Sequence, residues 1–578
     1  MKSLFKYIAI GLAGIMTMSS CSDFLDEEAQ GIVTEEDFNT AENVEQLCNA
    51  AYSSLGNTTW HRPLVSLWSL GCVRSGDTYK GGGGTGDCGL AHQWEVYYSN
   101  TVDNEWTDNL WVQLYLDISR VNTALEYLNK LSDAEMTNRQ QRIAEMKFLR
   151  GHYYFTLKIL FKHVPFIDET MGVVEKNAAT NRDLSNAELW ARIAQDFSEA
   201  ASVLPANQTE VGRPTKWAAK AYQAKTLLYA AYVQGDDKNT VTSIDKNMLK
   251  QAGALCDEVI GSGKYALAAD FANNFLTETE NGCESLFAVQ YSSNDGTIYG
   301  RIDEDHALNY PMASEYPATC GFHQPSHNLI NAFKTENGLP MFETFYDVDA
   351  AKDGDFNNIN PVVDPRLDHT VGIPGRPFKY EPNFVYQKSW SRVPGVYSYY
   401  SCMKELVSPN DPTLTATTYF AGSAKNIDLI RYDDVLLWKA EVDIELGENL
   451  AEARDLINQI RERAANSTAK LVNSNGQQFG NYEIATYNDD NYAWNQESAR
   501  QALRWERRLE FATEGNRFFD LVRWGIAADY LNNYIAKEKE VVDYLRAAKF
   551  TENRDEYLPI PLNQINYSSD SYQQNVGW

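Results

Sequence analysis

Apolar residues recur at helical spacing over much of this chain. Val44, Leu47, Ala51 and Leu55 form one stripe, and Leu110, Leu114, Ile118, Val121 and Leu125 form another beyond the loop region 56–103. Both stretches read as helices packed on one side. Asn186 to Leu204 and Pro214 to Gln234 make the next pair, the latter opening on Gly212-Arg-Pro-Thr215, with proline at a helix start where its missing N–H is tolerated. Ala218, Ala221 and Ala224 permit close helix approach. Asn247 to Ile260 then returns, and the unit recurs as Tyr432 to Leu446, a stop at Gly447, and Leu450 to Ala464.

Each unit is a helix-turn-helix of roughly 34 residues. Its length and alanine placement are similar to those of tetratricopeptide (TPR) repeats, although the Trp-Leu-Gly-Tyr signature is missing. Between about 265 and 425 the periodicity is lost, and Gly, Pro, Asn, Asp and Tyr dominate. Short alternating runs such as Leu286 to Tyr291 mark a few strands among loops. The expected fold is mainly α: about four TPR-like helix pairs plus a loop-rich region with a few short strands. So long an irregular segment inside a compact protein usually carries function.

Residues 504–525 read as two helices broken at Gly515. Glu506, Glu510 and Glu514 repeat at i, i+4, i+8 beside Arg507 and Arg508, and Arg517, Asp520 and Arg523 repeat at i, i+3, i+6. Paired catalytic carboxyl groups face each other across a cleft, roughly 5–10 Å apart. Carboxylates stacked on one helix beside arginines instead predict a structural ion-pair network.

The composition is globular, with 43% hydrophobic residues, 34 tyrosines and 13 tryptophans. A formal charge of −28 argues against a basic face for nucleic acid or an anionic membrane, and favours a neutral ligand. Lys2 and Lys6, the apolar run Ile8 to Met16 and Thr17-Met-Ser-Ser20 before Cys21 read as a lipoprotein signal, residues 1–20, with Cys21 the acylated N-terminus. Met18 stands where leucine is usual. Nine apolar residues would cross only about half a bilayer core, so the run is a signal and not an anchor. Residues 21–40 follow as an acidic tether. If Cys21 is modified, seven cysteines remain, without CxxC or zinc spacing, and whether Cys72 and Cys88 are bridged stays open.

The strings Glu506-Arg-Arg-Leu-Glu-Phe-Ala-Thr-Glu-Gly515 and Arg517-Phe-Phe-Asp-Leu-Val-Arg-Trp-Gly525 closely resemble the signature of the SusD/RagB family of Bacteroidetes surface lipoproteins. Further similar motifs stand in order around them: Trp111, Tyr115, Ile118 and Asn122; Ala144 to Leu157 with Val164-Pro165; Thr335 to Pro340; Asp364 to Leu367; Arg431 to Glu441; Ile460 to Ala464; Tyr557 to Pro561; and Gln574 to Trp578. Val363 departs from the pattern, where arginine is more usual. The resemblance implies an N-terminal helical region, 41–264, packed as one unit with a C-terminal region, 265–578, that supplies the ligand-binding loops. It further implies an outer-membrane, cell-surface lipoprotein, held by its N-terminal lipid, that binds a glycan without catalysis and serves a SusC-like TonB-dependent transporter.

Sugar recognition needs flat aromatic platforms for the C–H faces of the rings, with carboxylates, amides or arginines for the hydroxyls. Two loop regions offer both. The first, 56–100, holds Trp60, His61, Trp68, Asp77, Tyr79, Trp94 and Tyr97, and the second, 295–400, holds Tyr299, Tyr310, Tyr316, Phe322, His323, Trp390, Tyr397 and Tyr399. They are chosen by composition and position, since the family's ligand contacts lie outside its shared motifs. Gly81 to Gly84 lacks the Lys-Ser or Lys-Thr of a phosphate loop and reads as a flexible loop tip. Asp347, Asp349, Asp353 and Asp355 are calcium-like in density, but they depart from EF-hand order, and a solvated acidic turn is the plainer reading. No cofactor, resident metal or catalytic residue is expected. Peptide cargo, a TPR-type protein adaptor and a glycoside hydrolase remain alternatives.

Overall fold

The computed structural model describes residues 39–578 apart from 298–299 and 417–418. The signal segment, Cys21, nearly all of the tether and Tyr299 lie outside the described residues.

Eight long helices form the frame: α1 (Ala41–Ser53), α2 (Glu105–Lys130), α3 (Arg139–Phe161), α4 (Asn186–Val203), α5 (Lys216–Ala231), α6 (Lys246–Gly261), α7 (Tyr432–Leu446) and α8 (Leu450–Asn466). Their starts are set locally. Asn104 accepts hydrogen bonds from the N–H groups of Trp106 and Thr107, Ser185 caps Glu188 with a reciprocal capping box, and Thr215 caps Ala218. From α2 to α8 each helix packs on the next in a serial stack. The stack passes directly from α6 to α7 although 170 residues of loop separate them in sequence. Gly253 permits that crossing, since a Cβ there would lie 2.9 Å from Val442.

Helix α5 stops earlier than its periodicity suggests. Tyr232–Gln234 leaves the helix as a strand paired with Val241–Ile244, and the Tyr232 hydroxyl donates to buried Glu441 at 2.6 Å. Further helices are α9 (Gln496–Glu510), α10 (Arg517–Arg523) and α11 (Ala527–Glu538). Glu514 does not share the face of Glu506 and Glu510, because α9 ends at Glu510 and Thr513 turns left-handed at φ 68°. Its carboxylate reaches Arg431 at 3.0 Å and Lys404 at 2.7 Å.

The sheets among the described residues are two-stranded. Four matter here. Strand β1 (Thr78–Gly81) pairs with β3 (Phe322–Pro325), so the two candidate loop regions meet. Strand β2 (Ser285–Val289) pairs with β6 (Ile427–Arg431), and β4 (Leu414–Ala416) with β5 (Ala421–Ser423) as a hairpin. One apolar core runs from Val44 to Ile560 through both halves of the chain, with smaller clusters under the loops.

Candidate functional site

The carboxylates of the 504–525 stretch are spent inside the protein. The Arg366 guanidinium, fully buried, lies 2.7 Å from each of Asp364, Glu506 and Glu510. Arg461 holds Glu506 at 3.0 Å, and Arg463 joins Glu510 to Glu284. Burial alone would push the Glu510 carboxyl up, but Arg463 and Arg366 override it and hold it well below the usual carboxylate range. This network is scaffold.

Most of the aromatic candidates are packed away. Trp68 sits in a π-helical turn with its indole N–H on the Asp305 carbonyl at 3.1 Å, and Trp94 donates to Thr107 at 3.2 Å. The buried hydroxyls of Tyr79 and Tyr97 bond Glu538 and the Arg74 carbonyl. Tyr310 and Tyr316 pack together at 5.0 Å, and the Tyr316 hydroxyl meets the Val407 carbonyl at 2.8 Å. Phe322 and Tyr397 flank the Lys80 ammonium at 4.9 and 5.4 Å. His323 lies 5.3 Å from Trp68, where burial pushes its ring far below the usual imidazole range. Asp77 binds Arg508 at 2.8 Å. None of these groups offers a face to a ligand as placed, because the loops fold over one another and use their rings as core.

One further reading is corrected. The glycine run is no free tip: Lys80 donates to the carbonyls of Gly81, Gly84 and Asp87 at 2.9, 3.1 and 2.5 Å, and the Gly82 N–H bonds the Gly321 carbonyl at 2.9 Å. In the acidic turn Asp349 faces His327 at 2.7 Å and Asn331 at 2.8 Å, while Asp347, Asp353 and Asp355 are exposed, the last pairing with Lys388 at the surface. Among the described residues no group of three or more His, Cys, Asp or Glu is placed to hold a metal ion. The described cysteines, Cys72 and Cys88 included, are free thiols.

Four candidates keep half-buried rings: Trp60, His61, Trp390 and Tyr399. Trp60 belongs to a cluster open to solvent. Its ring stands edge-on to Trp106 at 5.6 Å, to Phe420 at 6.1 Å and to His61 at 5.0 Å. Tyr419, 76% exposed, extends the cluster from Phe420 at 6.4 Å. Buried Trp94 supports Trp106 from below at 6.0 Å. The elements bring these rings in from three places: the tight turn Thr59–Arg62, the first turn of α2 behind the Asn104 cap, and the β4–β5 hairpin.

Polar groups border the rings. Burial and the neighbouring Arg62 guanidinium push the His61 ring below the usual imidazole range, against the opposing pull of Glu105. Arg62 itself donates to Gln113 at 2.5 Å, and Gln113 to Asp117 at 2.8 Å. Gln113 and Asp117 are buried behind Arg62, and a platform of rings with the exposed Glu105 carboxylate and the half-buried Arg62 guanidinium beside it can stack on a sugar face and bond its hydroxyls. Trp106, Tyr419 and Phe420 were not among the sequence candidates. The available signal was a pair of adjacent aromatics in a threonine-rich hairpin and a tryptophan in the first turn after a helix cap.

The chain is similar to known proteins over most of its length. Residues 283–578 match the model of the SusD family, and residues 23–228 match a model described as starch-binding associating with outer membrane. SusD-like protein P25 of Formosa agariphila is 24% identical over 95% of this chain and 94% of its own. A SusD homolog from Bacteroides thetaiotaomicron superposes with a TM-score of 0.70 at 19% identity, covering 94% of this chain and 99% of that one. Surface glycan-binding protein A from the same organism, solved in complex with laminarihexaose, has a TM-score of 0.65 at 20% identity, covering 93% and 99%.

Proposed function

The chain belongs to the SusD family, and from that premise we propose that it is a non-catalytic lipoprotein of the cell surface. It captures an oligo- or polysaccharide on the aromatic surface around Trp60 and delivers it to a SusC-like TonB-dependent transporter in the outer membrane. The observation that carries the reading is the ring cluster Trp60, Trp106, Phe420 and exposed Tyr419, bordered by Glu105 and Arg62. Stacking binds the apolar face of a pyranose, and the bordering groups orient its hydroxyls.

The charge of −28 favours a neutral glycan over a polyanionic one. That a relative in fold holds laminarihexaose, a neutral glucan, supports the same class. An open ring surface suits binding, whereas hydrolysis needs two carboxyl groups across a cleft about 5–10 Å apart. Acylation of Cys21 would hold the body at the membrane by lipid alone; among the described residues no helix is long and apolar enough to cross a bilayer.

The test has two arms. The purified protein is run through gels cast with neutral polysaccharides, and the membrane form is purified by tag from its native host. Retardation by a glycan whose chain length stays unchanged, together with recovery of an outer-membrane barrel, supports the proposal. Falling chain length would make the protein a hydrolase, and a barrel recovered without retardation by any glycan would make it an adaptor.

A further inference from the structure

The loop-rich region carries a second concavity. An open groove of about 490 Å³ is lined by residues from three segments, 354–358, 374–375 and 386–389. We infer that this groove is a second saccharide-binding subsite, taking a short stretch of neutral sugar chain; the inference rests on the glycan reading of the ring cluster.

The groove is preformed. Gly354 and Gly375 both lie in the left-handed region, at φ 67° and 85°, and a Cβ on them would come within 2.8 Å of Tyr399 and 3.0 Å of the Asn357 amide. Bare backbone is therefore required where these segments meet. Asn357 fastens them, donating to the Pro374 carbonyl at 2.8 Å and accepting from Arg376 at 2.7 Å, while Arg376 is anchored on Asp368. A site assembled before the ligand arrives spends less binding energy on ordering.

Its free polar groups match hydroxyls. The exposed Asn358 amide and Ser389 hydroxyl have no side-chain hydrogen-bond partner among the described residues. Gln387 commits only its amide N–H, to the Val385 carbonyl at 2.7 Å, which leaves its side-chain oxygen to accept. The charges in the groove cancel, because Lys388 pairs with Asp355 and stands 5.5 Å from the Tyr399 ring centre. Half-buried Tyr399 stands against Gly354 of the lining, and half-buried Trp390 packs on the lining Tyr386 at 5.2 Å. A volume of this size is within the roughly 300–1,000 Å³ of small-molecule sites.

The groove is also tied through nearby chain to the glycine loop of the first loop region. Ser389 is three residues before Arg392, whose guanidinium pairs with Asp87 of the glycine loop at 3.0 Å. Three residues of chain span at most roughly 11 Å.

Calorimetric titration of the full mature chain with a panel of neutral hexasaccharides, laminarihexaose among them, tests the inference. The wild type should bind two equivalents. Asn358→Ala combined with Gln387→Ala should weaken one site at least tenfold with an unchanged unfolding midpoint, and Trp60→Ala should weaken the other. A single equivalent, lost in Trp60→Ala and untouched by the groove variant, would overturn the second subsite and leave the first reading standing. No binding of any saccharide by the wild type would overturn both.

Discussion

Arg508 on α9 donates to one oxygen of Asp77 through Nε at 3.0 Å and Nη2 at 2.8 Å, across 431 residues of sequence. Both side chains are about 1% exposed. The pair fastens the first loop region to the helix that carries the family signature, with Asn328 accepting a further bond from Arg508 at 2.7 Å. Asp77→Ala would leave a buried guanidinium without its counter-ion, a loss on the order of 3–5 kcal/mol. Chemical denaturation should register it as a lower midpoint with little change in slope.

Gly71 crosses Gly515 at van der Waals closeness, where a Cβ would fall 1.7 Å from the Gly515 carbonyl oxygen. Backbone cannot yield as a side-chain tip can, so Gly71→Ala should cost about 3 kcal/mol or more. A thermal melt within two degrees of wild type, by the rough conversion for a chain of this size, would show that the crossing is looser than described.

The ion network makes stability fall in acid. Burial opposes ionisation of Glu510, Glu441 and Asp520, but Arg463 with Arg366, Arg523, and Arg507 with Arg523 respectively hold all three carboxyls below their ordinary values. A folded pKa below the unfolded one means stability present above the unfolded value of about 4 and lost as the pH falls through the folded value. Unfolding free energy should therefore drop as the pH is lowered from 5 toward 2, and Glu441→Gln should flatten that drop while lowering stability at pH 7. A profile with the same acid slope in the variant would remove Glu441 from the explanation.

Buried and surface rings should separate in their effects. Trp68→Ala removes a side chain that is 1% exposed, costing about 3–5 kcal/mol of stability. Tyr419→Ala, at 76% exposure, should leave the melting point unchanged and weaken glycan binding several-fold, as expected for about 1 kcal/mol of stacking. Paired melting and affinity-gel measurements check both.

The helical frame was legible because its signals are local: apolar spacing, the small residues Ala218, Ala221 and Ala224, and a stop at Gly447. The acidic and basic residues of 504–525 also announced a mutual network, since their partners are too many to be solvated. Asp77 looked like a sugar ligand because its partner Arg508 is remote in sequence. Tyr79, Tyr310 and Tyr397 misled for a related reason, since the pairing of β1 with β3 turns two loops into one packed layer. Trp106 was hidden the other way, a helical residue left half-exposed by the loops around it. Composition locates such loops; only their long-range pairing decides which rings face water.

The central claim is that the cluster at Trp60 holds a neutral glycan. The most direct measurement is the dissociation constant of the full mature chain for the best-retained neutral polysaccharide, compared between wild type and Trp60→Ala combined with Tyr419→Ala at equal melting temperature. The variant's constant should be at least tenfold weaker, about 1.4 kcal/mol. An unchanged constant would contradict the claim.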